Sequence, residues 1–270
     1  MYTQNMTAKE EDTVDRVDNE EEDWELLMSP NAEDIDRKIE VMPLIDRYED
    51  ANKNWPGRGK VILCQRRQIN GEEAILVYQA YRREIAKHAC EHQSFEFAPG
   101  YKTTRMTWIK PNFLWMMYRS GWASKHNQEM ILGIWLKLSF FHELLIASKC
   151  TQRRGEADAG VGERNRPCRL QWDPDHFPDG SNHPYRRALQ LGIKGEYAAR
   201  YASADPYISP ILNIVDMTPL AREGYAILNL IKKDRKKAHL LNDLRVSSEA
   251  VYSDLPNDIA KQIGLDDITV

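Results

Sequence analysis

No stretch of this chain is apolar enough to span a membrane. The longest apolar run, Ile131 to Phe141, is broken by Lys137 and falls far short of the roughly 20 residues a span needs. The first 25 residues are acidic where a secretory signal would be basic and then apolar, which predicts no export by that route. The four cysteines, Cys64, Cys90, Cys150 and Cys168, form no C-x-x-C pair, which argues against a zinc module and for reduced thiols in a cytoplasmic or nuclear protein. The sharp catalytic signatures are missing too. There is no G-x-x-x-x-G-K-[ST] loop, G-x-G-x-x-G, G-x-S-x-G elbow, H-E-x-x-H or kinase set, so the commonest enzyme classes lose their simplest support. No internal repeat is present, and nothing specifies a cofactor or an oligomeric state.

What the chain does have is an uneven charge. Residues 1–50 carry 17 acidic and 5 basic side chains, a balance of −12, against +8 on the remaining 220 residues. From Lys9 to Glu25 only Val14, Val17 and Trp24 could anchor a fold, too few to offset the entropy of ordering the segment. The reading is therefore a disordered acidic head over 1–25, a partly ordered lead-in to Asp50, a single domain over 51–256 and a C-terminal tail over 257–270. The head reads as a solubilising tail or as a competitor for an anionic ligand of the basic body. Lys149 to Pro167, rich in Arg, Gly and Glu, reads as a mobile surface insertion.

The body is expected to be α+β, with a mixed or antiparallel sheet, a β-hairpin and several packed helices. Asn70-Gly71 between Val61–Gln68 and Ala74–Gln79 has the chemistry of a two-residue hairpin turn, and the second, almost continuously apolar strand should be central. A helix is predicted over 82–92 and a loop over 95–100. Pro111 to Gly121 should form another helix, with Phe113, Leu114, Met117 and Tyr118 at helical spacing. Further strands are predicted over 129–138, 168–172, 188–194 and 211–216. Helices should cover 139–148 and the segment from Thr218, which is the longest and carries Lys232 to Lys237 toward its C-terminus.

Chemistry is signalled by density. Thr103 to Trp122 holds three tryptophans, a tyrosine, two arginines and a lysine. Its Trp115, Met116 and Met117 read as helix core. Arg105 and Lys110, beside a helix opening at Pro111, read as a phosphate site, because free N–H groups, the dipole and fixed cations would converge there. Arg119, Arg186 and Arg187 are further phosphate candidates, and Tyr78, Tyr81 and Trp108 could stack on a base. Glu196 and Asp173 are the candidate catalytic carboxylates, although Glu196 reads first as a solvated helix-start residue. Asp173, Asp175 and His176 could in principle ligate a metal, but next to Phe-Pro-Asp-Gly they read first as a capped turn, so no metal is assigned.

The runs Val77 to Tyr81, Thr104 to Pro111, Phe113 to Trp122, Gln171 to Pro174 and Asp216 to Leu220 resemble an uncharacterised family of bacteria and fungi. It is catalogued only as a domain of unknown function and is marked by T-R-M-T-W and W-D-P motifs. The resemblance covers about residues 60–256 and implies no established activity. The order of elements, a strand ending in Tyr78-Gln79-Ala80-Tyr81, a helix, a short loop and then β segments with a late Glu196, is more distantly similar to ADP-ribosyltransferase domains. Those hold NAD in the cleft of a split sheet and use a late glutamate; Gln79 and Tyr81 stand here in place of their first-strand Arg or His. The expectation is an intracellular protein directed at a nucleotide or nucleic acid. As an enzyme it would be a transferase, moving ADP-ribose or processing RNA ends; the alternative is a non-catalytic RNA- or protein-binding module with a basic, aromatic-rich surface.

Overall fold

The computed structural model describes residues 41–150 and 167–266. The acidic head before residue 41 and most of the Arg-rich insertion lie outside them.

In chain order the elements begin with β1 (Ile45–Arg47), α1 (Tyr48–Lys53), β2 (Gly59–Lys60), β3 (Leu63–Cys64), β4 (Arg66–Ile69), β5 (Glu72–Tyr81) and α2 (Arg83–His92). Next come β6 (Thr107–Ile109), α3 (Phe113–Ser120), β7 (Met130–Lys137), α4 (Leu138–Ala147), β8 (Lys149–Cys150), β9 (Cys168–His176), β10 (Asn182–Ile193) and α5 (Glu196–Ala202). The chain continues through β11 (Ile211–Asp216), α6 (Thr218–Lys233), a 3-10 turn (Arg235–Leu241), β12 (Arg245–Ser247), β13 (Ala250–Val251) and α7 (Asn257–Ile263). This is a single α+β domain.

The hairpin forms where the sequence places it. Asn70 and Gly71 both adopt positive φ (51° and 77°), the backbone a tight turn of matching twist needs, and they join β4 to a central β5. Strands β11, β7, β5 and β4 lie in that order, all antiparallel. A second sheet runs β2, β10, β9, β8, with β6 also on β10. One bridge, Tyr78 to Lys110, ties β5 to the end of β6 and so makes the two sheets neighbours across a seam. Paired residues project to the same side. The faces of the two sheets are therefore continuous.

One of these shared faces is largely apolar, with Gln79 as a buried polar residue on it. Ile75 and Val77 of β5, Leu132, Ile134 and Leu136 of β7, Ile109 of β6, Leu170 of β9 and Leu189, Leu191 and Ile193 of β10 form one core. Side chains of α2, α4, α5 and α7 cover it. The segment 257–263, expected as the start of a tail, belongs to this core, because Ile259 and Ile263 are buried in it. At the other end of the chain, β1 pairs with β12, so ordered structure begins before residue 51.

The opposite face is divided. Over the first sheet it carries a second core of Ala74, Leu76, Tyr78, Ile131 and Trp135, closed by α3 and α6. Within this core Gly224 of α6 lies against Trp122, where an added Cβ would come within 2.2 Å of the ring. The Trp122 ring is held by its N–H donating to the Pro178 carbonyl (3.0 Å) and by its edge-on contact with Phe113. Gly224→Ala is thus expected to lower the thermal midpoint, although alanine favours a helix interior by about 1 kcal/mol. A midpoint equal to or above the wild type would show that Trp122 can yield.

Candidate functional site

Over the second sheet the same face is polar. Strand alternation sends Trp108 and Lys110 from the β6 segment, Ala188 and Gln190 from β10 and Gln171, Asp173 and Asp175 from β9 to this side. Gln190 Nε2 donates to Gln171 Oε1 (3.0 Å) and to Asp173 Oδ2 (2.5 Å), a cross-strand ladder that fixes the Asp173 carboxylate. Helix α3 straddles the seam. Its Phe113, Leu114, Met116 and Met117 enter the apolar core, whereas Trp115, Tyr118 and Arg119 fall on the side of the second sheet. Trp115 is buried, as expected of this helix, but on the side of the second sheet rather than with Met116 and Met117.

Lys110 sits where these groups meet. Only 4% of it is exposed, and its Nζ lies 5.3 Å from the Trp115 ring centre with one long contact, 3.4 Å, to the Trp108 carbonyl. Among the described residues no carboxylate forms an ion pair with it. Burial pushes its pKa down to about 7; the nearby Arg119 charge pushes the same way and Asp173 opposes. Two ring nitrogens of the cluster, Trp115 Nε1 and His176 Nδ1, are buried with no hydrogen-bond partner among the described residues. Tyr118 stacks on His176 (3.6 Å, 14°), and Trp115 tilts against both. Lys125 closes the end of α3, donating to the carbonyls of Tyr118 (3.0 Å) and Arg119 (2.9 Å), with its Nζ 5.4 Å from the Tyr118 ring centre. Arg119 and Tyr118 are exposed, so the cluster runs from a buried ammonium out to solvent.

The other expected phosphate ligands are placed differently. Arg186 shares the polar face but is only 2% exposed and is neutralised by Asp175 (Nε to Oδ2, 2.5 Å), while donating to the Pro56 carbonyl (3.0 Å). Arg187 follows it in a strand and so points to the other face; adjacent residues of an extended strand cannot meet one phosphate. Arg105 is exposed on the loop before β6, at the opposite end of that strand from Lys110.

The helix N-terminus beyond Pro111 is not open to a ligand either. Asn112 caps it, accepting from the Trp115 N–H (2.6 Å), and the Glu249 carboxylate accepts from the Phe113 N–H (2.7 Å). The place expected for an anion is filled by the chain's own Glu249 side chain. Burial raises its pKa well above the usual carboxylate range.

The carboxylates divide as well. Asp173 faces the Lys110 cluster. Glu196 is exposed at the start of α5, and its charge is felt at Cys168, Tyr197 and Arg200. Cys168 to Asp173 is five strand residues, roughly 16 Å, which separates Glu196 from the cluster. Of the stacking candidates, Trp108 lies beside Lys110. Tyr78 is wholly buried against Phe113 with its hydroxyl donating to Ser247 Oγ (2.6 Å). Tyr81 packs with Phe95 and Tyr101 and donates to Gln79 Oε1 (2.9 Å) on the other face. Gln79 is itself saturated, accepting also from Tyr201 (2.7 Å) and donating to Thr107 Oγ1 (2.8 Å) and the Trp108 carbonyl (3.1 Å).

The sequence pattern does not mark Trp115 or Lys125 as site residues, and it offers His176 only as a metal ligand or turn residue. A helical wheel would have flagged Trp115, since 115, 118 and 119 form a face distinct from 113, 114 and 117. His176 was read into a turn, but β9 extends through it. Nothing local marks Lys125. Among the described residues no group of three or more His, Cys, Asp or Glu is placed to hold a metal ion, and no helix is long and apolar enough to cross a membrane.

No curated protein matches the chain in sequence. A family model described as a domain of unknown function (DUF4291) matches residues 66–252, which span β4 to the segment after β13 and include every residue of the Lys110 cluster. The chain belongs to that family.

Proposed function

We propose that this domain binds a nucleotide by its phosphate at Lys110 and Arg119, with Trp108 as the ring beside the base and Asp173 as the carboxylate that acts on it. One observation carries the reading. Among the described residues a buried ammonium has no ion-paired carboxylate and sits beside an indole N–H without an acceptor, next to a second, exposed cation. Burying such groups unpaired is costly, and an oxygen-rich anion would satisfy them together. The module alternative draws on the exposed cations Arg119 and Lys125, and would need no role for Asp173.

Thermal shift with ADP, NAD, a 5′-phosphorylated tetranucleotide RNA and inorganic phosphate tests the reading. A ligand at 100 times its dissociation constant should stabilise the fold by about 2.7 kcal/mol, several degrees for a domain of this size. The stabilisation should vanish in Lys110→Met and Arg119→Ala and persist in Arg105→Ala. A shift that survives both of the first two substitutions would place the ligand elsewhere; no shift with any of the four would remove the nucleotide reading. Product formation from NAD that is lost in Asp173→Asn would assign the transferase chemistry.

A further inference from the structure

We propose that the ε-amine of Lys110 is a nucleophile that forms an imine with an aldehyde or ketone carrying a phosphate or carboxylate, the anionic group being held at Arg119. The inference rests on the anion reading above and adds a covalent step to it. The other buried cation among the described residues, Arg186, is neutralised by a carboxylate at 2.5 Å. At Lys110 the fold supplies a carbonyl at 3.4 Å, an indole ring and a neighbouring guanidinium instead. A lysine that is desolvated beside another cation is held ready as a free amine, and a guanidinium could not serve, because it stays protonated. The lowered pKa of Lys110 agrees with this placement.

In the step, the Nζ lone pair attacks the carbonyl carbon and a C–N bond forms. The oxygen takes one of the two protons of the amine, and the carbinolamine then loses that hydroxyl together with the second amine proton as water to leave the imine. Amine and carbonyl go to imine and water, with no change of oxidation state. Asp173, held by Gln190 on the same face, is the group placed to take the amine proton and return it to the departing hydroxyl.

The full chain would be incubated at pH 7 with cyanoborohydride and one of three aldehydes: glyoxylate, pyridoxal phosphate or uncharged propanal. Reduced adducts would be located by peptide mass spectrometry. Labelling of Lys110 should exceed that of exposed lysines such as Lys102 and Lys232 by tenfold or more, favour the two charged aldehydes over propanal, and fall when inorganic phosphate is added. Arg119→Ala should lose the preference for charged aldehydes while Lys110 is still labelled, and Lys110→Arg should show no adduct at residue 110. Lys110 labelled no faster than the exposed lysines would overturn the imine proposal. If phosphate still stabilises the protein through Lys110 and Arg119 in that case, the anion reading stands alone; if it does not, both readings fall.

Discussion

Lys110→Met is expected to make this protein more stable while removing its ligand binding. Methionine matches lysine in length and needs no hydration, whereas the ammonium is held almost without solvent and, among the described residues, without an ion-paired carboxylate. The sign follows from the lowered pKa. Below pH 7 the folded state must carry the buried charge and the penalty is complete. As pH rises from about 7 toward about 10.4, the folded amine is neutral while the unfolded one is still protonated, so stability increases. A depression from 10.5 to about 7 corresponds to a penalty on the order of 3–5 kcal/mol. The methionine variant should therefore melt higher by several degrees at pH 6, with the gap closing toward pH 10. Melting curves of both proteins across that range decide it. A variant less stable than the wild type at pH 6 would mean that the ammonium has structural partners, and would undercut the site.

Arg186 should behave in the opposite way. It and Asp175 are 2% and 1% exposed and bonded to each other, so Arg186→Met leaves a buried carboxylate without its cation. That should lower stability by about 3–5 kcal/mol. Adding Asp175→Asn should recover much of the loss, because asparagine keeps the acceptor that Asp175 Oδ1 provides to the His176 N–H (2.8 Å) and carries no charge. Phosphate binding by the folded fraction should be unaffected. If Arg186→Met melts like the wild type but no longer binds phosphate, Arg186 is a ligand residue and its pairing with Asp175 is incidental.

These two cations looked alike in the sequence, each a basic residue among aromatics. Their difference comes from one partner. Asp175 was read as part of a turn, but β9 runs through Pro174 to His176 and turns the W-D-P-D-H run into alternating strand positions, placing Asp173 and Asp175 on one side. The shift in pairing between Asn182 and Arg187 is what accommodates a proline within a ladder. Arg186 and Arg187, taken together from their adjacency, are separated by the same alternation. Where local chemistry dominates, the reading transfers directly. The Asn-Gly hairpin, the central apolar strand β5, the strand at 211–216 and the long helix from Thr218 lie where predicted, each because turn residues, apolar runs or a proline at a helix start act over a few residues.

Composition and pattern alone determined that this chain builds one α+β body and pointed to T-R-M-T-W-I-K-P and W-D-P as the segments in which to look for a site, since both readings depend on neighbours in sequence. Only the tertiary structure decided which charges remain available. Glu249 reaches the start of α3 across 136 residues, Asp175 meets Arg186 across 11, and among the described residues no carboxylate forms an ion pair with Lys110. A charge is kept or cancelled by what comes within about 4 Å of it, and that distance is set by the packing of both sheets against α3 and not by order along the chain.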